Sequence, residues 1–401
     1  MDTMTDFDTL IDRRGSGALK YDALLERFGR DDLTPLWVAD MDFATPGFIL
    51  DAIRDRLDHP VMGYTVEHPD YRPAIIDWLR SLHGVEVRPE WLSFIPGIVK
   101  GIAMAINCFL SPEDKVVVMP PVYHPFYLVP RAAGRQVVWN PLVREKDDYL
   151  RMDLEGLESL LDKDSRIRML ILSNPHNPVG IVWSRKDLKR LAEICASRGV
   201  IVISDEIHSE MVLPKTIDKG KRHVPFYDVS DAARACSITF AAPSKTFNIA
   251  GIVSSYSIVP DDSMRRRFYS WLKAGEMDEP SIFSPIATVA AYREGSEWRE
   301  EMLRYVEGNI DMVIDCLSHK LPCVRAVRPD AGFLVWLDCK GMNVPHEKIV
   351  EYFRDKARLA LNDGRMFGPG GDCCMRLNVA APRAVIRKAI EDLCDVCLAN
   401  E

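Results

Sequence analysis

The sequence predicts an α/β fold class: a parallel sheet covered by helices, followed by a smaller α+β unit. Two observations carry this. Short apolar, β-branched runs recur, namely KVVVM at 115–119, IRMLILS at 167–173, VIVIS at 200–204 and SITFA at 237–241. They are nearly continuous rather than alternating, which is the pattern of strands buried on both faces. Between them run segments of helical period such as SRKDLKRLAEICASRG, which Ser184 can cap and Gly199 can stop.

At 401 residues the chain is long enough for two or three domains. A large α/β domain is expected over residues 50–290 and a small C-terminal α+β domain over 291–401. Residues 1–49 are expected to contribute to the small domain and to the active-site entrance. In the second unit, SEWREEMLRYVEGNIDMVIDCLSHK at 296–320 reads as one long amphipathic helix. A strand GFLVWLD, a helix over 346–359 and a final strand CMRLNVA follow, before a last helix.

With 51 basic and 59 acidic residues the net charge is −8, which argues against nucleic acid or an anionic membrane as partner. No apolar run is long enough to cross a bilayer, and the acidic start MDTMTDFDTLIDRRG has no hydrophobic signal core. The expected location is the cytoplasm, where the ten scattered cysteines read as reduced thiols. Cys373 and Cys374 are adjacent, and Cys394 and Cys397 stand three apart on the last helix. Their spacing matches no closed zinc set and fits packing on one helix face, so no metal is expected.

Ligand sites in open parallel sheets lie beyond the carboxyl ends of the strands. IRMLILS runs into NPHNPVG, with Asn174 and Asn177; VIVIS into DEIH, with Asp205 and His208; and SITFA into APSK, with Lys245. Singly, each has an ordinary explanation. Asn-Pro pairs form turns, acids begin helices, and a loop lysine is solvated. Together they set an amide, a carboxylate and an amine on one edge of one sheet.

One chemistry uses the whole set. A lysine amine forms a Schiff base with the aldehyde of pyridoxal 5′-phosphate, whose ring is an electron sink. An ionised carboxylate, Asp205, would keep the pyridine nitrogen protonated. Asn177 and His208 can donate to the ring hydroxyl. Gly97 opens the apolar helix PGIVKGIAMAIN, whose first N–H groups, near Ile98 and Val99, suit a phosphate. Tyr123 in PPVYHPF can cover a ring face. Arg376, inside the apolar run CMRLNVA, is costly there unless it meets an anion. That anion is either a substrate α-carboxylate or the partner in a structural salt bridge.

SNPHNPVG, SDEIH, SKTFNIAG and MRLNVA, in that order, resemble the fold type I pyridoxal-phosphate enzymes of the aspartate aminotransferase superfamily. WVADMDF, GYT, PPVYHPF, HNPVGIVW and DEIHSE are similar to one branch, the MalY/PatB-type cystathionine β-lyases or cysteine-S-conjugate C–S lyases. The resemblance implies a large cofactor-binding domain with a mostly parallel seven-stranded sheet, plus the small α+β domain. It implies that Lys245 holds the cofactor and then moves the Cα proton, with Tyr123 as a second catalytic group stacked on the ring. Asp205, Asn177, His208, Gly97, Ile98, Val99 and Ser244 would hold the cofactor, and Arg376, Asn177 and Tyr64 the substrate. Tyr64 would also reach the phosphate of a neighbouring subunit, which implies a homodimer with shared active sites.

Two positions depart from the family pattern. Val253 stands where many aminotransferases have a phosphate-binding arginine, and Ala242 where serine is common, with Ser244 able to compensate. The implied reaction is β-elimination from an S-substituted L-cysteine such as cystathionine, giving pyruvate, ammonia and a thiol. Two other readings stay open: an aminotransferase that needs a second oxo acid, and a regulatory protein that uses the fold to bind a partner. Side-chain specificity is expected in loops that include WVADMDF and AGEMDEPSIFSP.

Overall fold

In the computed structural model, which describes residues 5–145 and 149–398, the apolar runs become neighbouring strands. The strands β1 (Leu92–Ile95), β2 (Lys115–Val118), β3 (Gln136–Trp139), β4 (Ile167–Ser173), β5 (Ile201–Asp205), β6 (Ser237–Ala241) and β7 (Ser255–Ile258) form one seven-stranded sheet. Its spatial order is β1-β7-β6-β5-β4-β2-β3, and β7 alone runs against the rest. The sheet is therefore mixed, with six of its seven strands parallel.

The runs are apolar at nearly every position because alternate side chains feed two separate cores. Val117, Leu170, Leu172 and Val202 join Leu188, Leu191 and Cys195 of a helix α2 (Arg185–Ser197) that follows α1 (Ile98–Phe109) in the chain. Val116, Val118, Ile171, Ile203 and Phe240 pack on the other face, against Ile98, Ile102 and Ile106 of α1. Each such aliphatic side chain stabilises the fold by roughly 2 kcal/mol relative to its exposed state.

The helix ends follow the expected chemistry. Ser184 Oγ accepts the Asp187 N–H at 3.1 Å, and Gly199 sits just past the end of α2 at φ 64°. In α1, Gly101 lies so close to β1 that an added methyl group would come within 2.7 Å of Ile95 Cδ1. This absent side chain lets α1 descend onto β1 and β6, which sets the height of its N-terminus at the sheet edge.

The second unit starts with α3 (Ser296–Lys320), a single helix over the span its periodicity predicts. A four-stranded antiparallel sheet follows, made of β8 (Arg325–Val327), β9 (Leu334–Asp338), β10 (Asn362–Asp363) and β11 (Cys374–Asn378), in the order β8-β9-β11-β10. The helix expected over 346–359 is shorter. It runs His346–Glu351, passes into a π-type turn at Tyr352–Lys356, and gives way to a strand at Leu359–Ala360. That strand pairs in parallel with Thr34–Pro35. Local periodicity cannot register a partner at the other end of the chain.

Cys373 and Cys374 are free thiols and Cys394 is buried in the last helix, while the Cys397 side chain lies outside the described residues. No helix among the described residues is long and apolar enough to cross a membrane.

The N-terminal segment is tied down by charge. Lys20 is wholly buried, with Nζ 2.8 Å from Asp42 Oδ2. Arg13 bridges Asp40 Oδ2 and Asp42 Oδ1 at 2.7 Å each. A buried ammonium that loses its carboxylate keeps the desolvation cost without the attraction. Asp42→Ala should therefore cost about 3 kcal/mol of stability, seen as a lower urea midpoint at unchanged slope. A midpoint equal to that of the unsubstituted chain would mean that this pair does not hold the segment.

Candidate active site

The strands β4, β5 and β6 lie side by side, so the loops after them converge. Asp205 is the last residue of β5, paired with Ser173, and does not begin a helix. Strand alternation sends it and Glu206 to opposite sides. Glu206 turns into the interior, where it accepts from Ser204 Oγ at 2.9 Å and the Phe226 N–H at 2.8 Å and lies 2.9 Å from His223 Nε2. Asp205 instead lines a cavity of about 280 Å³. Gly97, Ile98, Val99, Tyr123, Asn177, His208, Ser244 and Lys245 line the same cavity.

Burial dominates the electrostatics here. It pushes the Asp205 carboxyl up to about 7, against the pull of the Ile207 N–H and the nearby Lys245 charge. Asp205 Oδ1 accepts that N–H at 3.0 Å, and no donor among the described residues reaches its other oxygen. The Lys245 amine is brought down to about 8 by burial, with Asp40 and Asp205 opposing the shift. Its Nζ donates to the Ala39 carbonyl at 2.6 Å. The acids missing around Lys245 in sequence thus arrive from two other segments. Burial takes the His208 imidazole down to about 3, so it is neutral, and its Nδ1 is buried with no hydrogen-bond partner.

Gly97 holds φ 110° at the start of α1, and no side chain caps that helix. Its first N–H groups are unclaimed within the helix and meet the cavity at Ile98 and Val99. Val253 also lines the cavity, at φ 57°, a strained conformation for a β-branched residue. With no arginine at that position, an anion here would rest on backbone N–H groups and on the hydroxyls of Ser244 and Ser255, with Lys100 also at the cavity wall.

A second cavity, of about 650 Å³, shares Ala39, Tyr123 and Lys245 with the first and contains Arg376. Arg376 is buried on β11. Its Nη1 donates to Asn177 Oδ1 at 2.9 Å, and its Nη2 donates to Asn362 Oδ1 at 2.6 Å and to the Trp37 carbonyl at 3.2 Å. The guanidinium also lies 4.8 Å from the centre of the Phe367 ring. Among the described residues it forms no ion pair, so the structural salt bridge is not found. Burial lowers its pKa only to about 10, which leaves it charged at neutral pH. A buried cation surrounded by neutral acceptors is completed by an anionic ligand.

The first cavity fits pyridoxal phosphate on the chain's own terms. It offers a carboxylate with an open acceptor, a desolvated amine, an uncapped helix N-terminus and the Tyr123 ring. Every residue expected at the cofactor lines it except Tyr64. Tyr64 is fully exposed on an irregular segment and lines neither cavity. Sequence reasoning missed the Ala39 and Trp37 carbonyls, Asn362, Ser173 and Ser255. Asn362 could be found only from pairing, since it stands directly opposite Arg376 across β10 and β11.

Comparison with known proteins gives three likenesses and one family match. The model of the family "Aminotransferase class I and II" matches residues 31–393. A cystathionine β-lyase, PatB, from Bacillus subtilis (strain 168) is 40% identical over 384 residues, covering 96% of this chain and 97% of that protein. The crystal structure of cystalysin from Treponema denticola, which contains pyridoxal 5′-phosphate, superposes with a TM-score of 0.93 at 29% identity, covering 100% of both chains. That of a PLP-bound C–S lyase from Staphylococcus hominis gives 0.89 at 29% identity, covering 98% of each.

The burial of Asp205 has a sign that can be measured. A carboxyl raised from 3.8 to about 7 on folding contributes stability that is fully present below the lower value and lost as pH rises through the upper one. Asp205→Asn removes that dependence. In cofactor-free protein the variant should gain melting temperature relative to the unsubstituted chain between about pH 5 and about pH 8. An identical difference at both pH values would mean that the carboxyl is not desolvated.

Proposed function

Because the chain belongs to the class I and II aminotransferase family, we propose that it is a pyridoxal 5′-phosphate-dependent carbon–sulfur lyase acting by β-elimination on S-substituted L-cysteines. The observation that carries the reading is the junction of the two cavities. Lys245 and Tyr123 belong to both, and Arg376, a buried cation with no ion pair among the described residues, stands in the larger. When bound in the smaller cavity, the cofactor supplies an electron sink for charge developing at the substrate Cα.

The chain supplies the rest. Arg376 clamps the substrate α-carboxylate with its planar fork, and Asn177 and Asn362 keep that fork in place. Lys245, with its pKa near 8, holds an appreciable unprotonated fraction at neutral pH and takes the Cα proton. Asp205 would hold the pyridine nitrogen with its open oxygen, and a positive charge beside it would favour the ionised carboxylate. His208, neutral and with Nδ1 unpartnered, and Asn177 would serve the ring oxygen. The N–H groups at Ile98 and Val99, with Ser244, would receive the phosphate. Tyr123 would cover the ring, and burial keeps its phenol protonated and able to hydrogen-bond the departing sulfur. The Cβ–S bond breaks, the thiol leaves, and water converts the three-carbon remainder to pyruvate and ammonia.

The reading extends to a cytoplasmic homodimer. Tyr64 lies with Val61, Met62 and Val66 on an exposed apolar segment, which supports a role for it at the phosphate site of a second copy. An aminotransferase would use the same residues but return the proton elsewhere and require an oxo acid.

Holoenzyme given cystathionine with no added oxo acid should release pyruvate, ammonia and thiol in equal amounts. Turnover that appears only when 2-oxoglutarate is supplied would overturn the lyase assignment. Lys245→Ala should lower turnover by about a thousandfold and abolish the yellow colour after dialysis. Arg376→Ala should lower kcat/KM by about thirtyfold, mostly through KM.

A further inference from the structure

The smaller cavity offers few positive charges to the group that its helix end suits. A phosphate monoester carries about two negative charges at neutral pH. Among the described residues, Lys245 and Lys100 are the only cations that line this cavity. The aldehyde would claim Lys245, which leaves Lys100. The position that many aminotransferases fill with arginine holds Val253, whose Cγ1 lies 3.8 Å from where a Gly97 side chain would begin. Hydrocarbon thus closes the wall beside the start of α1.

Lys100 is the third residue of α1. The Gly101 N–H is the first to find a partner within the helix, the Gly97 carbonyl at 2.8 Å. The N–H groups of Ile98, Val99 and Lys100 therefore stay open there. Side chains on a helix tilt toward its N-terminus, so the Lys100 stem leans back over that open turn. Ile98 and Ile102 are packed into the core, while Lys100 is exposed. A cation at this end of a helix is opposed by the helix dipole. No acid in the first turn compensates it, and no described residue pairs with its Nζ. The buried Nδ1 of His208, also without a partner, belongs to the same cavity. An anion seated on the turn would turn an unfavourable charge into a favourable one.

We propose that Lys100 supplies the positive charge for the cofactor phosphate, in place of the absent arginine. The inference rests on the placement of the cofactor in the smaller cavity and adds a binding residue to it. An ammonium on a flexible stem acts as a point charge rather than a planar fork. Because Lys100 is exposed, its attraction is partly screened, so cofactor affinity weakens as salt is added. The backbone N–H groups of the same turn are far less sensitive to salt.

The test titrates cofactor-free protein with pyridoxal 5′-phosphate and with pyridoxal, which lacks only the phosphate, and follows the quenching of intrinsic fluorescence. Both ligands bring the same ring and aldehyde to Lys245, so the ratio of their dissociation constants isolates the phosphate. Lys100→Gln should lower the preference for the phosphorylated ligand about fivefold at low salt. That loss should shrink as potassium chloride is added. Lys100→Arg should keep the preference within about twofold of the unsubstituted chain. Affinity for pyridoxal should be equal in all three proteins, which rules out a folding effect. A preference that Lys100→Gln leaves unchanged overturns the inference while leaving the cofactor site intact. An equal loss for both ligands marks a structural role and overturns it as well. No preference in the unsubstituted chain overturns the cofactor placement and the inference together.

Discussion

The site depends on keeping an amine and a carboxyl in one desolvated recess without letting them bond to each other. Lys245 Nζ donates to the Ala39 carbonyl, and Asp205 accepts from the backbone at Ile207. No salt bridge joins the two. Burial moves both toward neutrality from opposite sides, the carboxyl up to about 7 and the amine down to about 8. A direct ion pair would fix both in their charged forms and close the recess. Held apart by separate backbone partners, each remains available to a ligand. The desolvation this costs is offset by the two apolar cores that pack against the sheet.

The same constraint explains how the two halves of the site are built. The recess that suits the cofactor hangs from ends of parallel strands and from a helix that Gly101 allows close to the sheet. The adjoining cavity is closed by elements of both chain ends, and Arg376 links the two. Its guanidinium holds Asn177 of the β4 loop with one nitrogen and Asn362 of the small sheet with another. Binding an anion at Arg376 therefore acts on both walls at once.

Much of this was legible in the sequence, for definite reasons. Continuous apolar runs mark strands buried on both faces, and the topology of such sheets delivers Asn177, Asp205 and Lys245 to one edge. A charge inside the apolar run CMRLNVA marked Arg376. Whether a carboxylate of the chain already met that charge was not legible, because the answer depends on which side chains surround it in space. Asn362, the Ala39 carbonyl and the early end of the helix at Glu351 were hidden for the same reason. Each is set by pairing between segments far apart in sequence, and no local period encodes it. Tyr64 shows the converse. Its residue type and position are plain in the sequence, yet in one chain it stands fully in solvent.

Thr34–Pro35 and Leu359–Ala360, joined as a parallel pair, stitch the beginning of the polypeptide to a stretch near its finish. A ribosome that has delivered every strand of the large sheet has made the Trp37 and Asn177 acceptors of Arg376, but neither Asn362 nor Arg376 itself. Chains ended before that point lack the buried guanidinium and the amide opposite it. The larger cavity is thus completed only by the last part of the chain to be made.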